Sequence, residues 1–133
     1  MQRRTLHRVF FALGSNTDQP VHMRLARQYL MSLFQEVHFS TEAWTKAIGI
    51  DSEPFLNCMG MGFTTHERTQ IERALKQIQR RCGDSKGKRR LNKIVMDIDL
   101  MQYDGERYHE EDWERDYIQH QYKELLYIDN TRT

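Results

Sequence analysis

The segment Met96-Asp97-Ile98-Asp99-Leu100 carries the residues best suited to chemistry in this sequence. Side chains alternate across a strand, so Asp97 and Asp99 project to one face while Met96, Ile98 and Leu100 point into a core. Two carboxylates held that close make a hard, doubly negative oxygen site. Such a site suits Mg²⁺, which takes one or two carboxylates and completes its shell with water and phosphate oxygens. The plainer reading is a half-buried strand whose solvent face is acidic, because solvent-facing aspartate is ordinary. Two features favour the metal. Aspartate is disfavoured in strands, and a basic stretch containing Lys86, Lys88, Arg89, Arg90 and Lys93 leads directly into Asp97.

A second pattern is Pro54-Phe55-Leu56-Asn57 at a strand entrance. Phe55 and Asn57 share a face, which sets an aromatic plate beside an amide. That pairing can stack a flat heterocycle and read its hydrogen-bonding edge. The alternative puts Phe55 in the core and leaves Asn57 to end a loop. Phe11-Ala12-Leu13-Gly14-Ser15-Asn16 is a third pattern, on its own no more than a strand and its turn. Thr45, Lys46 and Ile48, in the loop before Phe55, offer further groups to a ligand.

These residues need elements to hold them. Val9 to Leu13 is an apolar run of the kind buried on both faces of a sheet, ended by Gly14-Ser15-Asn16. Asp18 and Pro20 supply helix-start chemistry, and Val21, Leu25, Tyr29 and Leu33 give a helix over about 20–35. Residues 37–44 alternate as a strand wet on one side, and 45–54 form a loop. Residues 55–64 form a strand in which Gly60 and Gly62 mark a bulge or a close backbone approach. Thr64 and Glu67 read as a capping box. Ile71, Leu75, Ile78 and Cys82 then predict a helix over 65–82, closed by Gly83. Residues 84–93 lack a period and read as a mobile loop. Residues 94–103 form a strand turned by Asp104-Gly105, and Trp113, Tyr117, Ile118, Leu125 and Leu126 suit a weakly amphipathic helix. The order β-α-β-β-α-β is that of an α+β, ferredoxin-like antiparallel sheet with two helices on one face, followed here by a C-terminal helix.

Composition bounds the function. A length of 133 residues suits one domain, and 38% hydrophobic with 29% charged residues reads as globular. A formal net charge of +1 argues against wholesale attraction to nucleic acid or to a membrane surface. Cys58 and Cys82 have neither zinc-ligand nor disulfide-framework spacing. No run of residues is long and apolar enough for a membrane span, and MQRRTLHR lacks a signal-peptide pattern. A cytoplasmic protein is the resulting expectation.

FALGSN after a first strand, FLN some 40 residues on and DIDL another 40 on, within this element order, resemble the 6-hydroxymethyl-7,8-dihydropterin pyrophosphokinases of folate synthesis. The resemblance runs from about Val9 to Tyr103. It implies transfer of pyrophosphate from ATP to the hydroxymethyl group of a reduced pterin, giving AMP. It assigns Asp97 and Asp99 to a pair of Mg²⁺ ions, Phe55 to stacking on the pterin, Asn57 to reading its edge, and Thr45 and Ile48 to the loop closing on the ring. Tyr122 corresponds to the opposing aromatic. For the nucleotide it implies Gln79, Lys86, Arg90 and Leu100, with Arg90 and Lys93 also counted among the catalytic residues. The implied partners are ATP and a reduced pterin, in a monomer or weak dimer that binds neither nucleic acid nor membrane.

The sequence also departs from the family. The usual Arg-Trp-x-Pro-Arg-x-x-Asp-x-Asp is here Arg90-Leu91-Asn92-Lys93-Ile94-Val95-Met96-Asp97-Ile98-Asp99. The tryptophan, proline and second arginine are replaced by Leu91, Lys93 and Ile94, and Lys93 cannot supply a planar, bidentate fork. A helix glutamate becomes Gln79, a loop arginine becomes Asp84, and no His-Pro segment is recognisable near the C-terminus. The resemblance is thus to a divergent, shortened member. Two further readings stand beside the enzyme: a catalytically impaired homologue that binds pterin or nucleotide, and a ferredoxin-like interaction or RNA-binding module. The near-neutral charge and the lack of an RNP-type aromatic pattern weigh against the last.

Overall fold

A computed structural model describes residues 5–132; Met1–Arg4, half of the segment read for a leader, and Thr133 lie outside the described residues. The first strand, β1 (His7–Ser15), is the axis of the sheet. Val9, Phe10, Phe11 and Leu13 are all fully buried, as a run with apolar residues on both faces requires. Helix α1 (Gln19–Leu33) follows, then β2 (Glu36–Phe39), β3 (Ala43–Thr45) and the long β4 (Phe55–Thr64). Helices α2 (Arg68–Arg81) and α3 (Lys86–Arg90) precede β5 (Asp97–Tyr103), β6 (Glu106–Arg107), a 3₁₀ turn (Asp112–Glu114) and α4 (Asp116–Thr131). The sheet order is β2-β4-β1-β5-β6, with β3 also on β4, and every pairing is antiparallel. This is the ferredoxin-like arrangement.

Each face of the sheet has its own core. On one, Val9, Phe11, Leu13, Ile98 and Leu100 pack against Met23, Ala26 and Leu30 of α1 and Ile71, Leu75 and Ile78 of α2. On the other, Phe10, Met59, Met61, Phe63 and Met101 meet Trp113 and the Ile118 and Leu125 of α4. The last helix therefore seals the second face, and no open sheet of stacked aromatics of the RNA-binding kind remains among the described residues. The glycines of β4 mark neither a bulge nor a backbone approach: its register with β1 is unbroken, and side-chain rings take the space. The Phe11 ring lies across Gly60 and the Phe34 ring across Gly62. The two rings stack at 5.3 Å with planes 3° apart.

Several local expectations are corrected. The strand expected over 37–44 is two strands, because Ser40 turns its hydroxyl onto the Met59 N–H (2.9 Å), and Glu124 of α4 takes the Thr41 N–H and hydroxyl (2.8 Å each). The buried stripe of α1 is Met23, Ala26 and Leu30, with Val21 exposed. Asp18 precedes α1 in the left-handed region (φ 42°) and makes no side-chain cap. The capping pair of α2 is one turn later than Thr64 and Glu67: Gln70 accepts from the Glu67 N–H, while Thr64 accepts from His66. The segment 84–93 contains the single-turn helix α3, capped by Ser85. Five residues are too few for any period to register.

A methyl group on Gly60 has nowhere to go without displacing the Phe11 ring. Gly60→Ala is expected to cost about 1–3 kcal/mol through overpacking. Gly105→Ala, where nothing lies within 4 Å, is expected to leave the denaturation midpoint nearly unchanged. Urea unfolding of the two variants checks this.

Candidate active site

The site lies on the face of the sheet that α4 covers, at the end that α4 leaves open. Residues paired directly across strands share a face. Gly14 is paired with Asn57 on one side and with Asp97 on the other, and Ala12 with Met59 and Asp99. Small residues at positions 12 and 14 thus leave a hollow over β1, walled by Phe55 and Asn57 and by the two aspartates. The first turn of α4 adds the third wall. The cavity holds about 220 Å³, and its lining includes Thr45, Ile48, Phe55, Asn57, Asp97, Asp99, Arg115 and Tyr117. Thr45, Lys46, Ile48, Phe55, Asn57, Asp97 and Asp99, all singled out in the sequence, are brought together here.

Asn57 is buried and oriented. Its amide nitrogen donates to Thr45 Oγ1 (2.8 Å) and to the Ala43 carbonyl (3.2 Å). Its Oδ1, nearest Gly14, makes no hydrogen bond to the described residues. The side chain thereby offers an acceptor, with orientation assigned by its donors. Gln121 of α4 donates to the Asn57 carbonyl (3.1 Å) and locks helix to strand behind it.

The aspartates are met by two cations and an imidazole, each from a different part of the chain. Arg89 Nη2 reaches Asp97 Oδ1 at 3.2 Å, Lys76 Nζ lies 3.5 Å from Asp99 Oδ1, and His109 Nε2 lies 3.9 Å from the same atom. Asp99, His109 and Asp112 present ligand atoms within 4.8 Å of one another. Burial, followed by the Asp97 charge beside it, holds the Asp99 carboxyl above the ordinary carboxylate range, with His109 and Lys76 pulling the other way. Two carboxylates this close, one of them raised by burial and by the charge of the other, are a pair that a divalent cation would relieve, so the donor set fits Mg²⁺. Burial disfavours the Arg89 charge, yet its bonds to Asp84 and Asp97 more than offset this and leave it above its ordinary value.

A second cavity, of about 660 Å³, opens on the other side of Asp99. Its wall combines apolar Leu75, Ile98, Leu100 and Tyr108 with the basic Arg73, Lys76 and Arg80 of α2. Asp99 lines both cavities.

Other expected residues lie elsewhere. Tyr122 packs edge-on against Phe10 and Trp113, with its hydroxyl on Gln102 (3.1 Å); Tyr117 is the tyrosine at the cavity. Lys86, Arg90 and Lys93 are exposed and line neither cavity; Arg89 lines neither as well, but its guanidinium turns onto Asp97, at the edge of the first. Gln79 is buried beneath β5. Next to the aspartates that strand has no outer neighbour, since β6 pairs only with Gln102 and Tyr103. Gln79 Oε1 therefore accepts from the Ile98 N–H (2.7 Å) and Lys76 Nζ donates to the Ile98 carbonyl (3.3 Å). The residues given no role from sequence are Lys76, His109, Asp112, Arg115 and Tyr117, and Arg89 is named there only as one of the basic stretch. The available signal was that a helix covering the face of the aspartates must meet the site with its first turn.

The raised Asp99 pKa has a sign. The folded state holds that proton more tightly than the unfolded chain, so this contribution to stability is complete below the ordinary carboxylate pKa and is lost as pH rises through the raised one. Metal-free Asp99→Asn is therefore expected to melt above the parent at pH 7. The difference should close below about pH 4, as read by Tm in the presence of a chelator.

A search of curated proteins gives no match. A family model described as 7,8-dihydro-6-hydroxymethylpterin-pyrophosphokinase (HPPK) matches residues 10–127, from the axis strand through most of the closing helix. The hollow beside two strand-borne carboxylates thus sits inside the matched region, and the chain belongs to the HPPK family.

Proposed function

We propose that this protein transfers pyrophosphate from ATP to 6-hydroxymethyl-7,8-dihydropterin, a magnesium-dependent, cytoplasmic step of folate biosynthesis. The observation that carries this reading is that one carboxylate, Asp99, belongs to the walls of two unlike cavities. A flat heterocycle suits the first, where Phe55 and Tyr117 offer ring faces and Asn57 an acceptor. A nucleotide suits the second, where apolar side chains accompany three cationic ones, and Leu100 lies in its wall. Asp97 and Asp99 would hold Mg²⁺ where the two meet. Bound there, Mg²⁺ supplies charge neutralisation at the phosphoryl group under attack.

What the chain does is chiefly to position and to balance charge, which is most of the work in phosphoryl transfer. Thr45 and Gln121 fix Asn57, and Asn57 with Phe55 fixes the ring. Gln79 and Lys76 hold the unpaired edge of β5, and with it the spacing of the aspartates. No side chain in the hollow is placed as a general base. A catalytically impaired binder is the second reading, favoured by Ile94 at the family's second arginine and by Arg90 and Lys93 lying outside both cavities.

The deciding experiment follows AMP release from ATP and Mg²⁺ with purified protein. AMP is expected only when 6-hydroxymethyl-7,8-dihydropterin is added, and pterin binding without AMP would select the second reading. Phe55→Ala is expected to weaken pterin binding at least tenfold, since a stacked aromatic is worth about 1–3 kcal/mol. An unchanged Kd in calorimetry would return Phe55 to the role of plain packing.

A further inference from the structure

Arg89 is the cation of the basic segment that reaches the aspartates, and its guanidinium is divided between two tasks. On one side Nε donates to Asp84 Oδ2 (2.6 Å). The Asp84 side chain is only 7% exposed, and its other oxygen accepts from the Val95 N–H (3.2 Å), so the tether is anchored in the backbone entering β5. On the other side Nη2 donates to the Met96 carbonyl and to Asp97 Oδ1, both at 3.2 Å. Nη1 makes no hydrogen bond to the described residues. A guanidinium fastened through Nε keeps its two terminal nitrogens together as a fork, the geometry that matches a phosphate.

A divalent cation and a guanidinium compete for the same carboxylate oxygen. We propose that Arg89 is both the resident counter-ion of Asp97 and the phosphate-binding arginine of this chain. In the nucleotide-free protein it neutralises Asp97. When a divalent cation takes that carboxylate, Arg89 is released on its Asp84 tether and donates to a phosphate oxygen of the nucleotide. The inference rests on the reading of the aspartates as the metal pair. It also gives the chain an arginine fork despite Ile94, drawn from the adjacent single-turn helix. A mere brace between α3 and β5 is the competing role, and it makes a different prediction. Losing a brace loosens the site and weakens metal and nucleotide together, whereas losing a counter-ion that becomes a ligand moves them in opposite directions.

The test uses the full chain as parent, as Arg89→Gln, and as Arg89→Gln combined with Asp84→Asn. The double variant avoids stranding the buried Asp84 charge if the single one folds poorly. Mn²⁺ affinity without nucleotide is read from the resonance of the free ion. Binding of a nonhydrolysable ATP analogue with Mg²⁺ is read by calorimetry. In the double variant Mn²⁺ is expected to bind about three- to tenfold more tightly, and the analogue at least about tenfold more weakly. Unchanged, weaker or unmeasurable Mn²⁺ binding would overturn the proposal, as would unchanged analogue binding. AMP formation by the parent is a separate measurement. Its absence alongside the two opposite shifts would sink the proposed reaction and leave the role of Arg89 standing, and the converse result would sink only Arg89.

Discussion

Everything at the site depends on the two-sided pairing of β1. A strand with neighbours on both edges fixes them about 4.8 Å away on each side, so the residues opposite Gly14, Asn57 and Asp97, are set about two strand spacings apart. No loop adjustment can change that separation. The burial of Val9, Phe10, Phe11 and Leu13 holds β1 in place, and the lack of a side chain at Gly14 keeps the space over it open. A Cβ there would lie 3.2 Å from Asn57 Oδ1.

Around this frame the chief electrostatic problem is the pair of like charges on β5. The solution is distributed: Arg89 comes from α3, Lys76 from α2 and His109 from the stretch after β6. Arg89 and Lys76 are themselves partly solvated, so neither forms the tight, buried ion pair that is costly to open. The same distribution explains why Lys76 and Gln79 sit one helical turn apart on α2. One answers the charge of Asp99, and both satisfy backbone groups that a missing neighbour strand would have taken.

Period-two patterns were legible in the sequence. Asp97 and Asp99 share a face, as do Phe55 and Asn57, and the element order follows from where those periods change. Choices that depend on rotation were not. In the run Lys88-Arg89-Arg90, successive side chains of a helix diverge by about 100°, and one turn with no apolar stripe gives no reference for which of them faces inward. Tyr117 and Tyr122 pose the same difficulty on α4, where apolar residues occupy most of the circumference and the hydrophobic pattern does not single out the one at the open end. Gly60 and Gly62 announced that something other than side chains of their own belonged there, but that Phe11 and Phe34 rings fill the space is tertiary information.

The order of the strands has a consequence for how the chain is made. The axis strand is the first element, yet its partners begin at residues 55 and 97, and the helix sealing its second face begins at 116. During synthesis Phe10 and its apolar neighbours on that face must wait for α4, which begins only at Asp116. Pairings this distant in sequence close slowly, because loop entropy is lost before the contacts repay it. The nascent chain therefore passes through a stage with an apolar sheet face uncovered, the kind of species on which chaperones and aggregation compete.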